Sequence, residues 1–222
     1  MVDGSPAQLE TRSALCWDDQ ALYIAFWMAE PDLRAALTRR DDPVYQDNDV
    51  EVFIAGQDVY YELEVNALGT VYEVFWIWDD ARGRDAIMAG LKPSGRRTLR
   101  LEGIGPHVHP RGWRTGFLDW DLPGLRTAVA VQGTVNDSTD SDTGWSVEMA
   151  VPWSGLTAVA DPHSGRPLPP EPGGEWRVDL SRFQWFRADG SRRPQPRGWA
   201  WSVHGAFDSH MPERFGKVVF TD

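Results

Sequence analysis

Residues 46–78 read QDNDVEVFIAGQDVYYELEVNALGTVYEVFWIW. The stretch predicts three consecutive β-strands, about Val50–Ala55, Tyr60–Asn66 and Thr70–Trp78, separated by Gly56–Asp58 and by a tight turn around Leu68–Gly69. Side chains alternate between two faces along a strand. Val50, Val52 and Ile54 therefore share one face, and Asp49, Glu51 and Phe53 the other. In the next strand Tyr61, Leu63 and Val65 oppose Glu62, Glu64 and Asn66. Two neighbouring strands thus each pair an apolar face with a carboxylate-bearing one. The acidic face is either solvated surface or the lining of a site that wants carboxylates.

Composition limits what such a site can serve. The chain has 222 residues, a length that all-β sandwiches reach as one domain, so residues 1–222 are read as a single domain. Its 21 Gly and 16 Pro, scattered among short apolar runs, suit turns between strands better than long helices. The 12 Trp exceed ordinary usage, and an indole N–H needs a partner when buried, so several are expected at a groove or stacking platform. A net charge of −11 argues against nucleic acid and anionic lipid as partners, because both are bound by clustered Lys and Arg. Cys16 is the single cysteine, which excludes an intrachain disulfide and a Cys-rich zinc site. No apolar run approaches the roughly 20 residues of a membrane span. The opening MVDGSPAQLE has neither the basic nor the apolar region of a signal peptide.

Further strands are expected on either side of the quoted stretch. Thr11–Cys16 and Ala21–Met28 flank the turn Trp17–Gln20 and read as a hairpin. Pro31 and Asp32 signal a short helix over Leu33–Thr38. Between Asp79 and Gly124 the periodicity fades and only Thr98–Gly103 is strand-like, so this region is expected as a long excursion over the sheet. Alternation returns in Thr127–Val135 and Gly144–Val151, with a single helical turn at Pro152–Leu156. After a Pro-rich loop, Asp161–Gly174, comes a strand at Trp176–Phe186 with Trp176, Val178 and Leu180 opposite Asp179, Ser181, Phe183 and Trp185. The loop Arg187–Arg197 leads to strands at Trp199–Val203 and Phe215–Phe220.

The segments WDDQALYIAF (17–26), DNDVEVFI (47–54), YYELEVNALGTVYEV (60–74), WDLPGLRTAVAVQGTVND (120–137), GWSVEMAVPW (144–153), WRVDLSRFQW (176–185) and PERFGKVVF (212–220) occur in this order. Together they resemble the carbohydrate-binding modules of family 9, in particular the family 9-like branch. The resemblance runs from about Thr11 to Phe220. It implies an all-β fold: a β-sandwich of two antiparallel sheets related to the DOMON-type domains, with long loops at one end. It also implies a secreted protein that holds a terminal sugar between two aromatic rings while charged and amide groups bind its hydroxyls. The first ring falls on Tyr45 and the acidic partner on Glu51. The second ring falls near Ser209 or His210, and an arginine of the family falls on Glu64, a reversal of charge. Function transfers less well than fold.

Sugar rings stack on aromatics, and carboxylates, amides and guanidinium groups fork onto vicinal hydroxyls. Tyr45, Trp76, Trp78, Trp185, Trp199 and Trp201 are the aromatic candidates, each of which core packing would equally explain. Asp49, Glu51, Glu62, Glu64 and Asn66, with Arg182 and Gln184, are the polar ones, and Glu62 is closest to an ordinary solvated residue. The expected ligand set is Tyr45, Asp49, Glu51, Glu64, Asn66, Ser181, Arg182, Trp185, Trp201 and His210, acting without catalysis on a carbohydrate or other small polar ligand. Two strand carboxylates acting as an acid–base pair in glycoside cleavage are the alternative. The loop with Asn136, Asp137, Asp140 and Asp142 offers hard oxygen ligands for Ca²⁺ without EF-hand spacing, and a solvated hairpin loop explains it as well. His107, His109, His204 and His210 leave a haem or zinc site as a third reading.

Overall fold

In the computed structural model, which describes residues 1–91, 97–160, 166–186 and 196–221, the quoted stretch forms three adjacent antiparallel strands. They are β3 (Asp49–Ala55), β4 (Val59–Asn66) and β5 (Val71–Trp78). Gly69 makes the β4–β5 turn at φ 78°, a conformation glycine adopts without a Cβ penalty. The larger sheet continues on one side through β10 (Glu175–Trp185), whose far edge pairs with both β11 (Pro196–Ala200) and β12 (Gly216–Val219). On the other side it runs through β7 (Arg114–Phe117) to β6 (Thr98–Leu101). A four-stranded antiparallel sheet packs against it in the order β1 (Thr11–Trp17), β2 (Ala21–Ala29), β9 (Gly144–Pro152), β8 (Arg126–Gln132). The result is the all-β sandwich of two antiparallel sheets that the resemblance implies and the alternation agrees with.

Period-two alternation builds the core directly. Leu22, Ile24, Phe26, Met28, Val147, Met149 and Val151 of the small sheet meet Val50, Val52, Ile54, Leu63, Val65, Phe75, Ile77 and Leu180 of the large one in one apolar layer. At about 25 cal/mol per Å² of apolar surface removed from water, this layer is the main favourable term. The opposite face of the large sheet is also covered. Phe53, Tyr60, Val74, Trp76, Trp78 and Phe215 form a second apolar cluster beneath loops 102–113 and 201–215. Every residue of β3, β4 and β5 is consequently buried.

Two segments depart from expectation. Leu33–Thr38 forms neither helix nor strand. Its backbone N–H groups are taken by distant side chains: Leu33 donates to Asp142 Oδ2 at 2.7 Å, Ala35 to Asn136 Oδ1 at 3.2 Å, and Ala36 and Leu37 to Asp47 Oδ2, both at 2.9 Å. Acceptors of this strength outcompete one turn of helix. Within residues 79–124 the chain forms a short helix, α1 (Arg84–Gly90), and extends the sheet with β6 and β7. Most of the loop Arg187–Arg197 (187–195) and part of Asp161–Gly174 (161–165) lie outside the described residues.

Candidate ligand pocket on the covered sheet face

Glu51 of β3 lies opposite Glu64 of β4, and Glu64 opposite Tyr72 of β5, so one row across the sheet carries two carboxylates and a phenol ring. Glu62 and Trp76 stand on the same face. Loop residues close over this row and leave a cavity of about 330 Å³. Glu51, Glu62 and Glu64 form its floor. Tyr45, Tyr72, Trp76, Phe183, Trp185 and Phe207 supply rings, and Asp208, Ser209 and His210 come from the loop before β12.

Each polar group on the floor has a defined setting. Glu51 Oε2 accepts from Ser209 Oγ at 2.9 Å and from Ser181 Oγ at 3.3 Å. Glu62 Oε2 accepts from Trp76 Nε1 at 2.5 Å. His210 Nδ1 pairs with the Tyr60 hydroxyl at 2.9 Å, while its Nε2 lies 3.7 Å from Glu62 Oε1. Burial, followed by the neighbouring Glu62 charge, raises Glu51 well above the usual carboxylate range. Burial and the Glu51 charge do the same to Glu64. Burial lifts Glu62 to about 7, against the pull of the Trp76 hydrogen bond. His210 is depressed to about 3 by burial and by the Arg114 charge, so its ring is neutral near pH 7.

Of the ten ligand residues expected from sequence, Tyr45, Glu51, Glu64, Trp185 and His210 line this cavity. Ser181 contributes indirectly, by donating to Glu51. Asp49 is wholly buried beside Glu51 and Glu64. The other three are committed elsewhere. Asn66 fastens the β4–β5 turn, accepting from Leu68 N and Thr70 N and donating to Leu37 O. Trp201 donates its indole N–H to Val178 O at 3.0 Å and packs over Gly216, where a Cβ would lie 2.4 Å from the ring. Arg182 and Gln184 point to the opposite face of β10, where both bond Glu30 between the sheets.

Glu62 is buried in the cavity wall, not solvated. Among the other aromatic candidates, Trp78 is buried against His109 and Trp199 is nearly buried, donating to Thr11 Oγ1. The acidic loop's aspartates do not converge. Asp142 accepts from Leu33 N and Thr134 N, Asp137 Oδ1 accepts from Thr139, and among the described residues the one trio of potential metal ligands is Asp49, Glu51 and Glu64. The histidines are spread over separate partners: His107 on Asp208 at 2.7 Å, His109 on Glu213 at 3.2 Å and His204 on Asp179 at 3.1 Å. Sequence periodicity missed Phe207, Asp208 and the aliphatic loop residue Ile104, because a loop has no period to read.

His204 and Asp179 form a buried pair at the base of the covering loop. Burial opposes a charge on His204, but the hydrogen bond and negative charge of Asp179 outweigh it and raise its pKa above the ordinary value of 6.5. A raised folded-state pKa means that the stabilising contribution is complete below about pH 6.5 and is lost as pH rises through the folded value. The stability difference between the natural protein and His204→Gln, measured by urea unfolding, is therefore expected to be largest below about pH 6.5 and to shrink as pH rises above it.

A family model described as Carbohydrate-binding family 9 matches residues 6–88. No curated protein matches the chain. Among solved structures, a candidate carbohydrate-binding protein from Bacteroides uniformis ATCC 8492 is similar over 99% of this chain and 83% of its own, at 16% identity and a TM-score of 0.54. A carbohydrate-binding module of family 9 from Caldicellulosiruptor kristjanssonii, in complex with glucose, is similar over 97% of this chain and 78% of its own, at 16% identity and a TM-score of 0.51. The family match thus falls on the strands that build the cavity floor, and the solved structures share the sandwich fold of the whole chain.

Proposed function

We propose that the cavity binds a saccharide or glycoside without cleaving it. The observation that carries this reading is the convergence of six aromatic rings with Glu51, Glu62 and Glu64 in one cavity of about 330 Å³. Rings receive the C–H faces of a sugar, and carboxylates accept from its hydroxyls. The volume lies at the lower end of the roughly 300–1,000 Å³ of small-molecule sites, which favours a terminal unit over a long chain segment. The glucose complex of the structurally similar Caldicellulosiruptor kristjanssonii module supports the same ligand class.

Tyr45 is the ring placed to meet the ligand first. It is 47% exposed at the cavity mouth and touches Tyr72 edge-on at 5.7 Å. Tyr45→Ala is expected to weaken saccharide binding by about tenfold or more, a loss of about 1.5–2 kcal/mol, as for an anchoring aromatic in an interface. Its stability should stay within about 0.5 kcal/mol of the natural protein, as for other surface changes. Tryptophan fluorescence and calorimetry against a panel of mono- and oligosaccharides make the measurement. Silence across the whole panel sinks the reading.

One observation favours hydrolysis as a second reading. Glu62 keeps its proton up to about pH 7, chiefly through burial, the range a general acid needs. Turnover of aryl glycosides that disappears in Glu62→Gln would establish it.

A further inference from the structure

Asp49, Glu51 and Glu64 each bring one carboxylate oxygen within 4.8 Å of the other two. Register causes this: Glu51 faces Glu64 across the β3–β4 ladder, and Asp49 precedes Glu51 by two residues on the same face. The three are 0%, 4% and 1% exposed. Both oxygens of Asp49 and Oε2 of Glu64 are buried without a hydrogen-bond partner. Among the described residues no lysine or arginine makes a salt bridge with any of the three; Arg182, whose charge acts on Asp49, is itself paired with Glu30. A buried carboxylate left in this way costs several kcal/mol, and three at one point require protons or a cation.

The surroundings are those of a built site. Ser181 and Ser209 hold Glu51 Oε2 from two directions, which fixes the carboxylate as the outer partners of metal ligands do. The donor set is oxygen alone, with no histidine or cysteine in the trio, which disfavours zinc and copper. Hard carboxylate oxygens suit calcium, whose flexible sphere accepts six to eight of them, whereas magnesium demands near-ideal octahedral geometry and keeps several waters.

We propose that Asp49, Glu51 and Glu64 bind a divalent cation of the calcium class at the floor of the cavity. The trio supplies three of the six to eight oxygens such an ion takes, and the remaining positions open toward the cavity. The cation site stands whether or not the cavity takes a sugar. Its extension rests on the saccharide reading: vicinal hydroxyls of a bound sugar complete the coordination sphere, which accounts for a carboxylate at position 64 where sugar-binding relatives are expected to carry arginine.

The test is calorimetric titration of the chelator-treated full chain with CaCl₂, MgCl₂ and ZnCl₂, with thermal unfolding in parallel. One calcium site is expected, with weaker magnesium binding and a thermal midpoint that rises with calcium by mass action. Glu64→Gln and Asp49→Asn keep the shape and remove buried charge, so both should fold, which near-ultraviolet circular dichroism verifies. Each should weaken calcium by more than the roughly 10- to 100-fold that loss of an outer partner costs. Asp140→Asn, in the exposed loop, should leave calcium binding unchanged. Absence of any heat or thermal shift overturns the proposal, as does calcium binding that survives both substitutions or is removed by Asp140→Asn. Calcium binding without response to any saccharide retains the cation site and rejects the sugar reading. Saccharide binding in chelator with no metal response does the reverse.

Discussion

Arg182→Met is expected to destabilise the protein by about 3–5 kcal/mol, the range for removing one partner of a buried ion pair, while leaving saccharide affinity of the folded protein unchanged. Arg182 belongs to β10 of the large sheet and Glu30 follows β2 of the small one, so their 3.2 Å pair bridges the two layers with both side chains 1% exposed. The guanidinium also donates to Ala29 O and Thr11 Oγ1, each at 3.1 Å, and to Gln184 Oε1 at 2.8 Å. Glu30 in turn accepts from Trp145 Nε1 at 2.9 Å and Asn48 Nδ2 at 2.5 Å. Methionine retains much of the stem and leaves the Glu30 carboxylate buried without its counter-charge. Adding Glu30→Gln should restore part of the loss, because an amide oxygen still accepts from Trp145 and carries no charge. Urea unfolding of both single variants and the double gives the coupling directly. Equal stability of Arg182→Met and the natural protein would remove Arg182 from the inter-sheet network.

Arg182 also shows how far the sequence could be read. Alternation along Trp176–Trp185 already separates Arg182 and Gln184 from Ser181, Phe183 and Trp185, and the structure follows that parity: Phe183 and Trp185 enter the cavity and Arg182 does not. Grouping Arg182 with the acidic face went against the period that predicted the strand. Where alternation ran clean, in β2, β3, β4, β5, β9 and β10, both strands and core faces were legible. β7 was not, since it has only four residues, contains Gly116, and becomes a strand through pairing with β5 and β6.

The burial of the acidic face was the least legible feature. Glu62 reads as a solvated residue on an alternating strand, but loop residues such as Ile104, Phe207, Ser209 and His210 line the cavity over its face of the sheet. Those loops are pinned by contacts across about a hundred positions, such as His107 on Asp208 at 2.7 Å and Ile104 N on Asp208 at 3.3 Å. No local pattern encodes such pairs. The absent helix over Leu33–Thr38 has the same origin: Pro31 and Asp32 signal a start, but Asp142 supplies an acceptor 109 residues from Leu33. The resemblance, in contrast, placed Tyr45, Glu51, Glu64, Ser209 and His210 together, and all five line one cavity.

Trp76→Ala should be comparably damaging, at about 3–5 kcal/mol for truncating a buried Trp, and it should also open the cavity wall. The ring is 1% exposed and lies between a stacked Tyr60 at 5.8 Å and an edge-on His210 at 5.0 Å. Gly116 on the adjacent strand leaves room for it, since a Cβ there would stand 2.7 Å from the ring. Trp76→Phe separates packing from hydrogen bonding. It retains much of the apolar contact but removes the indole N–H from Glu62 Oε2, and an unsatisfied buried acceptor costs about 1–3 kcal/mol. That hydrogen bond is the largest influence holding the Glu62 pKa down against burial, ahead of the Glu64 hydrogen bond and the Arg114 charge. In chelator-treated Trp76→Phe the Glu62 carboxyl should therefore titrate above about 7, its value with the indole in place. A folded-state pKa further above the usual carboxylate value extends the pH range over which stability falls, from the unfolded carboxylate value upward to the new folded one. Carboxyl-carbon NMR titration reads the shift, and an unchanged or lower Glu62 pKa in Trp76→Phe would show that the indole does not govern the proton on the cavity wall.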